Sequence, residues 1–162
     1  YYRVEDEKYT FIYIVSSFIP CELVGAFIYA KLEHAEKINA VRSKLFEQYI
    51  RLLGPLEEKG AIRLPAAKSG KKGNGHIFQI KAGSFEERTR LIEFLKQNGI
   101  WAVFHYVPLH SSPAGIKYGR TNGTMRVTDD LSERVLRLPI YYEMKESELE
   151  WVVAKIMEFY GF

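Results

Sequence analysis
The alternation of hydrophobic and polar positions divides this chain into a short series of elements. Residues 1–10 are polar and loop-like. Residues 11–15 (Phe11-Ile12-Tyr13-Ile14-Val15) are β-branched and aromatic, the composition of a buried strand. Pro20 stands where a first helical turn tolerates proline. From there to about Leu53, apolar residues recur at steps of three, four or seven: Leu23, Phe27, Ala30, Ala35, Ile38, Leu45, Tyr49 and Leu52. So long a run predicts a bend near residues 33–37 or two helices in series, with Gly54-Pro55 as the stop.

After a lysine- and glycine-rich loop at 68–75, residues 76–82 alternate as a strand. Ser84 and Glu87 have the spacing of a capping box for a helix to about Asn98, with Leu91, Ile92, Phe94 and Leu95 as its apolar face and Gly99 as its C-terminal cap. Residues 100–106 read as a second strand. A long loop over 107–127 holds a helical turn near 114–118. Thr128 is the expected cap of a short helix with Asp129 and Asp130 in its first turn. A third strand-like piece covers 136–140. A last amphipathic helix runs from about Glu146 to Tyr160, with Leu149, Val152, Val153, Ile156 and Phe159 inward. Few strands and segregated helices predict an α+β fold, one small sheet with helices on one face.

Composition adds bounds. The 162 residues suit one domain or one domain plus an appendage, and 47% hydrophobic residues supply a core. A net charge of +3, with both signs mixed along the chain, does not mark a nucleic-acid binder. The lone Cys21 excludes an internal disulfide and a multi-cysteine zinc site, and it fits a reducing, cytoplasmic compartment. No apolar run is long enough to cross a bilayer. The chain opens on Tyr1 with no signal-peptide pattern, which suggests sequence upstream of it.

The most unusual cluster is His105-Tyr106-Val107-Pro108-Leu109-His110, at a strand end running into a loop. Two readings stay open: polar contact or proton transfer to a substrate, or one buried and one surface histidine. Metal ligation is disfavoured, because no carboxylate or cysteine stands nearby in the sequence at ligand spacing. Ser16-Ser17 before a helix start is either an anion site or an ordinary cap. The 68–75 loop lacks the Walker spacing and reads as a solvated loop. Residues 120–123 read as a surface turn that could approach a substrate. Cys21 has no base beside it and reads as a small packing residue.

Three segments carry a resemblance. Ile14-Val15-Ser16-Ser17-Phe18-Ile19-Pro20-Cys21-Glu22-Leu23-Val24-Gly25-Ala26-Phe27, with Ala30–Glu33, Ala35–Asn39 and Arg42 after it, is one. Val103–His110 with Ser112-Pro113-Ala114-Gly115 is the second, and Ser132–Tyr141 the third. In order and spacing they resemble the DegT/DnrJ-type sugar-nucleotide aminotransferases, most nearly the members that form dTDP-4-amino-4,6-dideoxygalactose.

The resemblance implies the small C-terminal domain of a fold-type-I pyridoxal 5'-phosphate aminotransferase, a mostly antiparallel sheet with helices on one face. Residues 1–19 would be the exit from a large domain, 20–54 connecting helices and 55–162 the small domain. The implied reaction moves an amino group from L-glutamate to a dTDP-4-keto-6-deoxy sugar in bacterial surface-polysaccharide (lipopolysaccharide or common antigen) biosynthesis. The Schiff-base lysine belongs to the large domain, so the chain alone would hold no catalytic residue and be inactive. Ser17 would reach the cofactor phosphate of a neighbouring subunit. Val15 departs from the family's glycine there, which puts the loop geometry near Ser17 in question. His105, Tyr106 and His110 would line the sugar-nucleotide side. A homodimer, or self-association through Phe11, Ile12, Phe18, Phe27 and Tyr29, is expected. The alternative is an autonomous, non-catalytic α+β module that binds a small molecule or a protein.

Overall fold
A computed structural model describes residues 20–66 and 73–162. The described residues fall into two units, one ending at Ala35 and the other spanning Glu36–Phe162. In the first lies α1 (Glu22–Glu33), which buries no residue; Phe27 and Tyr29 are exposed on it. The strand expected over residues 11–15 lies outside the described residues. Cys21, expected to pack, is instead exposed as the N-cap residue of α1. Among the described residues no helix is long and apolar enough to cross a membrane.

Two helices in series replace the single long run. His34 separates α1 from α2 (Ala35–Glu58). Gly54-Pro55 does not stop α2: Pro55 lies inside it, and the helix closes at Gly60, whose φ is 73°. There the Gly60 and Ala61 amides reach back to Glu57 and Leu56 carbonyls. An interior proline costs about 3 kcal/mol. Leu53 and Leu56 on either side are fully buried, and each such side chain returns roughly 1.5–3 kcal/mol, so packing holds the turn helical. Leu53, not Leu52, is the fully buried member of the pair.

The rest is β1 (Phe78–Lys81), α3 (Phe85–Gln97), β2 (Val103–Phe104), a 3-10 turn at Leu109–Ser111, α4 (Pro113–Tyr118), α5 (Arg126–Arg134), β3 (Val135–Leu138) and α6 (Glu146–Phe159). The sheet is antiparallel throughout, in the order β1-β3-β2. Phe78 pairs with Leu138 and Ile80 with Leu136, so these four buried side chains share one face. Tyr49 of α2 stacks on Phe78 at 4.6 Å, and Leu91, Leu95, Leu149, Val152 and Ile156 of α3 and α6 complete the same core. This is the expected α+β arrangement, a small antiparallel sheet with helices on one face.

The expected caps hold in part. Ser84 accepts the Glu87 amide at 3.1 Å, but the Glu87 carboxylate takes the Gly83 amide, at 3.2 Å, rather than that of Ser84. Glu87 also accepts from the Tyr160 hydroxyl at 2.5 Å, tying the end of α6 to the start of α3. Gly99, with φ of 75°, follows α3 as expected. Thr128 is not a cap: α5 starts at Arg126, behind Met125, and no side chain caps it.

Three substitutions test what holds the fold. The buried Tyr49 hydroxyl donates to the Pro139 carbonyl at 2.9 Å, and burial pushes its pKa above the usual tyrosine value. Tyr49→Phe should cost about 1–2 kcal/mol in urea unfolding, and Leu53→Ala about 2–5 kcal/mol. The Glu148 carboxyl is held below the usual carboxylate range, first by the Lys145 amide, 2.7 Å away, and then by the Tyr141 hydroxyl. Its contribution is therefore complete above the unfolded carboxylate value and is lost as pH falls through the lower folded value. Glu148→Gln should flatten the acid limb of stability against pH; an unchanged slope would refute this.

Candidate functional site
β2 is two residues long: Val103 pairs with Arg137 and Phe104 with Leu136. The chain leaves the sheet at His105, and the strand expected over 100–106 is reduced to residues 103–104. Pro108 and the 3-10 turn carry it to Ser112. That hydroxyl accepts the Gly115 amide at 3.0 Å and donates to the Leu109 carbonyl at 2.7 Å, with Pro113 at the helix start. Gly115 is required by contact: a β-carbon there would sit 1.6 Å from the Leu109 carbonyl oxygen.

Two clefts flank this segment. The larger, about 620 Å³, is lined by α3, the residues after β2, and α5, with Arg88, Phe104, His105, Tyr106, Asp129 and Ser132 in its walls. The smaller, about 380 Å³, is lined by Leu109, His110, Gly115, Ile116, Arg120 and Thr121 among others. His105 and Tyr106 are exposed at the first, their rings edge to face at 5.7 Å. The Arg137 guanidinium lies 5.8 Å from the Tyr106 ring centre and also approaches the Phe104 carbonyl, at 3.5 Å, so it braces the strand end from the sheet.

His110 lines the other cleft. Its Nε2 is 2.7 Å from Asp129 Oδ1, and Asp129 faces the larger cleft, so the pair spans from one cleft to the other. With the Asp129 carboxylate accepting, Nε2 carries the hydrogen and Nδ1 is left as acceptor in the neutral ring. The sequence-predicted trio is thus divided: His105 and Tyr106 on one cleft, His110 on its neighbour, joined through Asp129. Ser17 lies outside the described residues. The turn at 120–123 contributes Arg120 and Thr121 to the smaller cleft.

Sequence reasoning missed Arg88. It is 7% exposed, its Nε donates to the Glu133 carbonyl at 2.9 Å, and its Cζ lies 4.7 Å from the Phe85 ring centre and 5.5 Å from that of Phe104. Burial pushes the guanidinium pKa down, with Glu133 opposing the shift. The signal was present: Arg88, Leu91 and Leu95 fall on one helical stripe, so a charge occupies a core position of α3.

No lysine is among the described residues lining the two clefts, and of the two lining carboxylates, Asp129 and Glu133, the first is engaged by His110. Lys81 has a pKa lowered by desolvation and by Arg134 and Arg63, but it belongs to the sheet and lines neither cleft. Among the described residues no group of three or more His, Cys, Asp or Glu could hold a metal.

The sequence pattern of the DegT/DnrJ/EryC1/StrS aminotransferase family matches residues 20–157. The pleiotropic regulatory protein of Geobacillus stearothermophilus is 30% identical over 140 residues, which is 86% of this chain and 37% of that protein. The erythromycin biosynthesis sensory transduction protein EryC1 of Saccharopolyspora erythraea is 29% identical over 136 residues, 83% of this chain and 36% of that one. The crystal structure of S. venezuelae DesV in complex with a ketimine intermediate superposes with a TM-score of 0.75 at 27% identity, over 85% of this chain and 36% of that chain. The chain therefore spans little more than a third of the length of these relatives.

Gly115→Ala tests the build of the smaller cleft. The added carbon must push α4 off the Leu109 carbonyl, so hydrogen exchange should accelerate across residues 109–121 while the amides of β1 and β3 keep their protection. Unchanged exchange in that loop would show that the close approach does not shape it.

Proposed function
The chain belongs to the DegT/DnrJ/EryC1/StrS aminotransferase family, and on that premise we propose that it is the C-terminal part of a pyridoxal-phosphate-dependent sugar-nucleotide aminotransferase. The observation that carries this reading is the match from residue 20 to 157, joined to a cleft whose described walls hold polar side chains but no lysine. In the proposed parent the reactive amine comes from sequence outside this chain. The cofactor, when bound there, supplies the electron sink for amino transfer. This chain binds and orients the sugar nucleotide.

Within that proposal His105 and Tyr106 offer a ring nitrogen and a phenol to sugar oxygens at the mouth of the larger cleft. His110, oriented by Asp129, offers one nitrogen to the same ligand from the smaller cleft. Ser17 is proposed to meet the cofactor phosphate of a neighbouring subunit. We assign residues 1–19 to the exit from a large domain, 20–54 to the connection and 55–162 to the small domain, in a cytoplasmic homodimer. The proposed reaction transfers an amino group from L-glutamate to a dTDP-4-keto-6-deoxy sugar, giving dTDP-4-amino-4,6-dideoxygalactose for bacterial surface polysaccharide.

The test uses both this chain and its parent reading frame. Purified alone with pyridoxal phosphate and L-glutamate, the chain should transfer no amino group. The parent should aminate the keto sugar nucleotide, and His105→Ala, Tyr106→Phe or His110→Ala in it should raise KM for that substrate about tenfold each, the worth of a lost hydrogen bond to a charged group. Amino transfer by the isolated chain would overturn the proposal.

A further inference from the structure
Among the described residues, Arg88 is the one charged side chain in the buried class, and the Glu133 carboxylate acts on it only from beyond ion-pair distance. A guanidinium offers five N–H donors. Among the described residues only Nε has a protein acceptor, the Glu133 carbonyl, and no carboxylate lies within ion-pair distance of the group. Arg88 is among the side chains that line the larger cleft. The Arg88 Cζ lies over the Phe85 and Phe104 rings, and Thr89, Ser111, Asp129, Ser132 and Glu133 line the same cleft. A guanidinium held away from water is stabilised by an anion set against it.

We propose that the inner end of the larger cleft is a receptor for a monoanionic carboxylate carried on an apolar or aromatic body, gripped by the outer edge of the Arg88 guanidinium between Phe85 and Phe104. A planar carboxylate matches the fork with two parallel hydrogen bonds. Ile92, Val107 and Pro108 supply the apolar wall for the body. Asp129 and Glu133 also line the cleft, and their charges select against a dianion such as a phosphate ester. The assignment goes beyond a part in amino transfer and stands without it, because it concerns binding to this chain with no cofactor present.

Amide-resolved NMR titration of the 162-residue chain tests it with three probes: benzoate, its neutral isostere benzamide, and phenyl phosphate. Benzoate should shift the amides of Thr89, residues 104–107 and residues 132–133 saturably. Benzamide should bind at least about tenfold more weakly, since it forfeits a charge-assisted pair, and phenyl phosphate should also fall behind benzoate. Arg88→Lys keeps the charge but loses the fork, and should weaken benzoate about tenfold; Arg88→Met should abolish its binding. If Arg88→Met does not fold, the probe comparison on the unaltered chain and the lysine variant decide. Equal binding of benzoate and benzamide, a preference for phenyl phosphate, shifts confined elsewhere, or an indifferent Arg88→Lys would each overturn the proposal. A failed amino-transfer reading leaves all of these outcomes unaffected.

Discussion
A three-stranded sheet has one face to hide, and the unit from Glu36 onward is built around hiding it. Phe78, Ile80, Leu136 and Leu138 project to the same side, and α2, α3 and α6 close over them. Tyr49 joins three of these parts. Its ring stacks on β1, its backbone belongs to α2, and its hydroxyl satisfies a carbonyl just past β3. A buried polar group of this kind is stabilising only while its partner is in place, so it fixes how α2 sits against the sheet as well as how strongly.

The same sheet positions the site. β3 is central and emerges directly from α5, and β2 pairs with it at only two residues. The chain leaves the sheet at His105, which places its polar side chains at the mouth of a cleft rather than in a ladder. Two arginines brace the departure point. Arg137 reaches the Phe104 carbonyl and the Tyr106 ring from β3, while Arg88 meets the Phe104 ring from α3. The loop beyond is shaped by the near contact of Gly115 with the Leu109 carbonyl and by the tie between His110 and Asp129. Core and site are therefore coupled through short side-chain contacts instead of through long strands.

Membership of an aminotransferase family and the composition of the clefts fit together. The described lining offers hydrogen-bond donors, acceptors, aromatic faces and a buried cation, the equipment for binding and orientation, and no amine for covalent chemistry. A chain spanning little more than a third of its relatives has, on the proposed reading, the recognition half of a composite pocket.

Local patterns in the sequence determined much of this. Ser84 before an acidic turn, Gly99 after an apolar stripe, and the period of Leu149, Val152, Val153 and Ile156 each depend on neighbours within a few residues, so α3 and α6 were legible to within a residue or two. The family's segments identified His105, Tyr106 and His110 as a group. What only tertiary structure decided involves partners far apart in the chain. Packing of Leu53 and Leu56 kept Pro55 inside a helix, and β2 pairs with β3 at two residues only. The fold also set Asp129 against His110 across 19 positions and buried Arg88 beneath a carbonyl 45 positions away. Periodicity reports which face a residue takes, but it carries no information about which distant group will meet it there.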